Sequence, residues 1–342
     1  MHLDATVRGF DLAHVAAWAK QCEAVGVERL WTTETNHDPF FPLVLAAPAT
    51  TTVGLATGVA IALPRSPLHL AHAAWDIQQL SRGRFTLGVG SQIKPHIRHR
   101  FSSTWDKPVS RLRELVLAVK AIHHAWQTDG ELAFRGDFYH HTLMPPAFRP
   151  ERLGDWGPPP VVMAAYRGPM LEAAGEVADG VLIHPLQSVR YVKETVLPTV
   201  QAGLAKAGRS RADFEITLCL FAVQTEEEVE EARSRIAFYA STPMYRDTLT
   251  AEGLDDVAQE LHRLSTTGGW DAMPKLVSDE ILDLFVVRGD SGAQIAAEIR
   301  RRYDGLVERV NLHAGERSEP ERWGEIATAF RAGAPTAPPA PA

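Results

Sequence analysis

Groups that can move a proton or hold an anion recur in this chain where apolar runs stop. Glu34 and His37 stand three residues apart in Glu34-Thr-Asn-His-Asp-Pro39, just beyond the run Arg29 to Thr33. A carboxylate and an imidazole on one loop can give or take a proton, whereas Thr35, Gln92 and His96 can only orient or polarise a substrate. A carboxylate at a strand end also serves simply to cap the following loop, so Glu34 has a structural reading as well. Farther on, Met163-Ala-Ala-Tyr-Arg-Gly-Pro169 leads into a helical pattern through Met170, Leu171, Ala174 and Val177. Backbone N–H groups around Arg167 and Gly168, with the helix dipole and the guanidinium, would make an anion seat there, although Gly-Pro is equally an ordinary helix start. Lys94, His96, Arg98, His99 and Arg100 form a basic stretch that can meet an acidic ligand or serve as a solvated face.

Fourteen histidines invite a metal reading. His69/His72, His123/His124 and His140/His141 do not converge with carboxylates at any metal-binding spacing, and no metal is expected. Neither a Gly-x-Ser-x-Gly elbow nor a Walker loop is present.

The elements that must position these groups alternate between strand and helix. Strands are read at Leu3 to Val7, Arg29 to Thr33, Leu55 to Leu63, Phe85 to Val89, Val161 to Ala165, Gly180 to His184, Glu215 to Val223 and Glu308 to His313. Between them, one helix through Leu12, Val15, Ala19, Cys22 and Val25 stops at Gly26; another starts at Ser66-Pro67 and stops near Gly83. Thr225-Glu-Glu-Glu228 is a capping box, and Gly289-Asp-Ser291 opens the helix before the last strand. Eight parallel strands and their helices predict a (β/α)8 TIM barrel over residues 1–330. Two long insertions, 93–160 after strand four and 241–284 between strands seven and eight, become candidate pocket walls, because barrel sites lie at the C-terminal strand ends. The Pro/Ala-rich tail, 331–342, reads as disordered. Thr57, Gly58, Gly90, Ser91 and Gln92 are small or polar where a packed core would want bulk, which suits a ligand surface.

Composition narrows the function further. At 342 residues and 45% hydrophobic side chains the chain can bury a full core, and its net charge of −7 argues against nucleic acid as a partner. No apolar run approaches the roughly 18 residues of a spanning helix, and the N-terminus lacks a signal-peptide pattern. With only Cys22 and Cys219, both in apolar runs, reduced thiols in a cytoplasmic protein are expected.

Three blocks carry a family resemblance: Thr57-Gly-Val-Ala-Ile-Ala-Leu-Pro-Arg-Ser-Pro67, Leu80-Ser-Arg-Gly-Arg-Phe-Thr-Leu-Gly-Val-Gly90 and Val177-Ala-Asp-Gly-Val-Leu182. In order and spacing they resemble the luciferase-like monooxygenase superfamily, in its branch dependent on the deazaflavin coenzyme F420. Glu34-Thr-Asn-His-Asp-Pro39 and Gly90-Ser-Gln-Ile-Lys-Pro-His96 are similar to an actinobacterial subgroup. The resemblance implies a cofactor ring at the barrel mouth, backed by a cis peptide at Gly58-Val59, with contacts from Thr57, Gly58, Val59 and Gln92. It implies a phosphate seat at Ala165, Tyr166, Arg167 and Gly168. Glu34 and His37 are then the candidate catalytic groups, with Thr35 and His96 toward the substrate. F420 dehydrogenases of the family carry Asp-His after strand two and Glu after strand four; Glu34-Thr35 and Ser91-Gln92 stand there instead. The expectation is an F420-dependent oxidoreductase, acting as a homodimer on a small organic carbonyl, enone or alcohol. An FMN-dependent monooxygenase and a non-catalytic flavin-binding barrel are the alternatives.

Overall fold

Helix starts and stops follow the local chemistry read from the sequence. In the computed structural model, which describes residues 1–7, 11–313 and 320–333, the helix Val15–Val25 ends on Gly26 at φ 89°, a left-handed conformation that glycine adopts without a side-chain penalty. Ser66 accepts the His69 N–H at the head of the helix Pro67–Leu80. Thr225 and Glu228 close the capping box of Glu226–Ala240, and Ser291 caps Gly292–Tyr303. Each cap satisfies backbone donors that would otherwise be left orphaned at a helix start.

Eight parallel strands close into a barrel: β1 (His2–Val7), β2 (Arg29–Thr32), β3 (Gly54–Thr57), β4 (Phe85–Gly90), β5 (Val161–Ala165), β6 (Gly180–Ile183), β7 (Glu215–Val223) and β8 (Arg309–His313). Each pairs with the next, and β8 pairs with β1 through Leu3↔Val310. The third strand departs from the continuous run read over Leu55 to Leu63. Its β3 pairing with β4 ends at Ala56↔Thr86 and resumes only at Ala60↔Val89, in the short strand Ala60–Ile61. Between them lies a cis peptide, Gly58-Val59.

The insertion after β4 holds a π-helical turn (His96–Arg100), a long helix (Pro108–Thr128) and the small hairpin Phe134–Arg135 with His140–His141. The insertion after β7 is helical, apart from a short strand, Val286–Arg288, that pairs with the upper end of β7. It carries its own apolar cluster, in which Leu186, Phe221 and Val223 meet Ile236, Leu261 and Phe285. Burying such side chains contributes roughly 1.5–3 kcal/mol each, enough to fix this wall to the barrel top. The last helix, Pro320–Ala332, continues past the expected start of the tail at residue 331, and residues 334–342 lie outside the described ones. Cys22 and Cys219 are both buried, and neither forms a disulfide among the described residues. No helix among the described residues is long and apolar enough to cross a membrane.

Candidate active site

Strand parity decides which side chains reach the barrel mouth. Trp31, Ala56, Val162, Leu182 and Cys219 come from five different strands and pack on one another, so they point into the barrel. Side chains alternate along a strand, and two positions nearer the C-terminal ends the same faces present Thr33, Gly58, Ala164, His184 and Phe221. Below lies a charged floor. Asp4, fully buried, accepts both Arg309 donors at 2.8 and 2.6 Å and the Trp31 indole N–H at 2.9 Å. Burial opposes the Arg309 charge, but Asp4 and then Glu215 hold its proton more firmly than usual. Arg29 joins Glu215 at 2.5 Å. This network closes the barrel from beneath.

The side of the mouth over β2 to β4 is made of backbone. Thr57 Oγ1 donates to the Gly88 carbonyl at 2.7 Å and accepts the Gly88 N–H at 2.9 Å, bridging the gap where β3 leaves β4. Thr57 is therefore spent inside the sheet, where it shapes the bulge rather than reaching a ligand. A Cβ on Gly88 would stand 1.9 Å from the Thr57 carbonyl, and one on Gly90 would stand 2.8 Å from Val59 Cγ2. Gly58 and Val59 remain half-exposed above them. The result is a shelf of backbone and small residues at Gly58-Val59. Gln92, at φ 58°, borders it and turns its Oε1 back to the Ile93 N–H at 3.1 Å.

Arg167 adjoins the shelf at the end of β5, exposed and extended ahead of the helix Gly168–Val177. A Cβ on Gly168 would meet open space. An exposed guanidinium at a helix N-terminus, with no side chain over the first peptide, is the donor set a phosphate requires. Ala165 is buried. The hydroxyl of buried Tyr166 donates to the Tyr245 carbonyl at 2.5 Å and lies 2.6 Å from Thr248 Oγ1, tying β5 to the second insertion. Burial pushes that hydroxyl well above the ordinary tyrosine range. Tyr166 thus serves as a wall.

The side over β6 to β8 is made of rings. His184 stacks on Tyr245 with centroids 4.2 Å apart and meets Tyr239 edge-on at 4.7 Å and Tyr166 at 5.9 Å. Its Nδ1 accepts the Leu186 N–H at 3.2 Å, so the neutral ring carries its proton on Nε2. Burial pushes its pKa down to about 3, keeping it neutral at ordinary pH. Phe221 meets His313 at 6.0 Å. Thr6 donates to Asn311 Oδ1 at 2.9 Å and so can only accept from His313 Nε2, 3.1 Å away.

The loop after β2 differs from its sequence reading. The Glu34 carboxylate accepts the Ile61 N–H at 2.7 Å and pairs with Arg65 at 2.6 Å, and Arg65 also holds Asp38 at 2.8 Å. Burial opposes the charge on Arg65, yet Glu34 and Asp38 raise its pKa above the ordinary value. This is the capping role: Glu34 clamps the strand segment beyond the cis bond. Thr35 and His37 are exposed at the rim, as is His96 on the π-turn, and the structure brings none of the three into the ring-lined wall. Sequence reading missed His184, Phe221, Tyr239, Tyr245 and His313. Strands six and eight both end on histidine, and counting in twos from their buried residues would have found His184 and His313.

Comparison with known proteins follows the same outline. The family model described as luciferase-like monooxygenase matches residues 1–309. The chain belongs to this family. Within the luciferase-like family, it is 44% identical over 305 residues to an uncharacterized protein of Mycobacterium tuberculosis, covering 87% of this chain and 89% of that one. It is 28% identical over 305 residues to the 5,10-methylenetetrahydromethanopterin reductase of Archaeoglobus fulgidus, covering 86% and 84%. The solved coenzyme F420 dependent tetrahydromethanopterin reductase from Methanopyrus kandleri superposes with a TM-score of 0.76 at 19% identity, covering 96% of this chain and 98% of that one, which shows the shared fold. This luciferase-like protein is an oxidoreductase.

Proposed function

We propose that this luciferase-like barrel is an F420-dependent oxidoreductase that moves a hydride between the coenzyme and a small organic carbonyl, enone or alcohol. The observation that carries the reading is the half-exposed small-residue shelf at Gly58-Val59 together with the exposed Arg167 at the start of the helix Gly168–Val177. Similarity to the archaeal methylenetetrahydromethanopterin reductase and, at 24% identity, to the F420-dependent glucose-6-phosphate dehydrogenase of Amycolatopsis mediterranei supports it. When bound, the deazaflavin supplies the hydride chemistry. Gly58, Val59 and Gln92 would border its ring, and Arg167 and Gly168 would hold its phosphate.

The chain's own side chains then handle the substrate oxygen and its proton. His184 presents a neutral imidazole N–H from a ring-lined wall, suited to polarising a carbonyl and poorly suited to releasing a proton. His37 is the rim group able to exchange one, with Thr35 and His96 beside it for orientation. Glu34 holds the shelf in place. A homodimer forms part of the proposal, supported by exposed Phe41, Val44 and Leu45 on one short helix; its mass in solution tests it.

Emission titrations of the purified protein with F420 and with FMN test the cofactor. Quenching by protein at low micromolar F420, with weaker binding of FMN, is expected. Tight FMN binding without F420 binding overturns the reading in favour of an FMN-dependent monooxygenase. An F420 binder inactive across a panel of ketones, enones and alcohols is the silent barrel instead.

A further inference from the structure

The ring-lined wall is a corner. His184 and Tyr245 lie stacked with their planes 20° apart, and Tyr239 stands at 82° to the first and 78° to the second. All three keep part of their surface accessible, whereas Tyr166 and Phe221, which pack against them, are buried. Two perpendicular ring planes with accessible surface make a particular demand on whatever fills the angle. An aromatic ring laid against one plane meets the other edge-on, and both arrangements are those that aromatic pairs favour. A saturated ring of the same size offers neither a π-face nor a flat profile.

The corner carries no full charge. Burial alone lowers the His184 pKa, and Tyr245 is pushed up to about 12 by burial, with a further contribution from Tyr239. A cation or a carboxylate within reach would act on one or the other. Arg167 acts on Tyr191 instead, and Asp247 raises both Tyr166 and Tyr191, so the second charge felt by the neighbouring rings is negative. Glu252 accepts from the Ser188 hydroxyl, and Arg246 lies 3.9 Å from Asp255. An anionic substrate would lose its water in the corner and find no partner there. What the corner offers is polar tips. Among the described residues, the Tyr239 and Tyr245 hydroxyls make no hydrogen bond and neither is sealed from solvent, and His184 adds its Nε2 proton.

We infer that the substrate is a neutral compound whose carbonyl, or the matching alcohol, is conjugated with a planar ring, an aryl ketone being the simplest case, and that Tyr239 sets this preference. The inference rests on the oxidoreductase reading above and narrows it. The ring lies in the corner against Tyr239 and Tyr245, and the oxygen turns toward His184. Saturated and phosphorylated compounds are poor substrates, the first for want of contact and the second for want of a cation.

Titration calorimetry on the full-length protein saturated with oxidised F420 tests it, because that form has no hydride to give a ketone and binding is read without turnover. The probes are acetophenone, cyclohexyl methyl ketone and 4-acetylbenzoate, which share one carbonyl and differ in ring planarity and in charge. Acetophenone is expected to bind about tenfold more tightly than its saturated counterpart. The carboxylate of 4-acetylbenzoate should weaken binding by about tenfold relative to acetophenone. Tyr239→Leu should bring the two ketones within about twofold of each other by weakening acetophenone alone, and Tyr239→Phe, which keeps the ring, should retain the preference. Phe148→Leu, which removes an exposed ring from the insertion after β4, should retain it as well. Equal affinity of the parent for the two ketones, tighter binding of 4-acetylbenzoate, no measurable binding of acetophenone, or a preference that survives in Tyr239→Leu overturns the inference and leaves the cofactor reading standing. Failure of the parent to take up F420, read by emission beforehand, overturns the cofactor reading and this inference with it.

Discussion

The two sides of the mouth are made of different materials. Over β2 to β4 the surface is backbone and small residues, held by the Thr57 hydroxyl and the Glu34–Arg65 clamp; over β6 to β8 it is a wall of rings around His184. On the first side the shape comes from side chains that are missing, so the smallest addition does damage. On the second the shape comes from side chains that are present, so a ring can be exchanged for a ring and only the chemistry changes.

The largest effect is expected from Gly88→Ala. Its methyl would fall 1.9 Å from the Thr57 carbonyl, a backbone atom that cannot rotate away. Overpacking of this kind should destabilise the fold by about 3 kcal/mol in urea unfolding. A loss under about 1 kcal/mol would mean the bulge yields, and the contrast between the sides would fall.

His184→Phe probes the other side. Phenylalanine keeps the stack on Tyr245 but has no N–H, so melting should shift little and cofactor affinity should hold. Turnover should drop by about 10², the usual cost of losing one aligned donor. His37→Asn should lower turnover by about 10² as well. Unchanged turnover in both variants would move the proton and the oxygen contact to other groups.

Gly58→Val separates shape from stability on the backbone side. A Cβ there meets Trp31 Cε3 at 3.0 Å and Leu182 Cδ2 at 3.5 Å, which should cost about 1–3 kcal/mol. Because Gly58 is half-exposed on the shelf, cofactor affinity should fall by more than stability does. Glu34→Gln should be milder. Glutamine still accepts the Ile61 N–H, and Arg65 keeps Asp38, so about 1–2 kcal/mol is expected, with turnover within tenfold of the parent. A 10²-fold loss of turnover in a stable Glu34→Gln would restore Glu34 as the proton donor.

The same contrast explains what could be read from the chain. All eight strands are legible, the third apart from its break at Gly58-Val59, because parallel strands are apolar runs and their helices begin on Ser66, Thr225 and Ser291 and end on Gly26. The backbone side was legible too, since Thr57, Gly58 and Gly90 are conspicuous where bulk belongs. The ring side was not: Tyr239 and Tyr245 come from an insertion and meet His184 only through tertiary packing. Glu34 was legible as a carboxylate in the right place, but its partner Arg65 is remote in sequence, and that pairing decides its role.

How dry the ring side is can be read from acid unfolding. Burial holds His184 at about 3 against an ordinary 6.5, so between those values the unfolded chain binds a proton that the folded chain refuses. Stability from this group is full above about pH 6.5 and is lost as the pH falls toward 3, the sign expected for a base buried neutral. His123, held down to about 4 by burial between two helices, adds a slope of the same sign and is common to parent and variant. Subtracting the His184→Phe profile from the parent's therefore isolates one group. Unfolding free energies taken from pH 6 to pH 4 should fall more steeply in the parent, by about 1 kcal/mol per pH unit. Parallel profiles would mean that His184 takes up its proton while folded. The ring side would then be as wet as the rim, and the neutral N–H would no longer distinguish it from the backbone side.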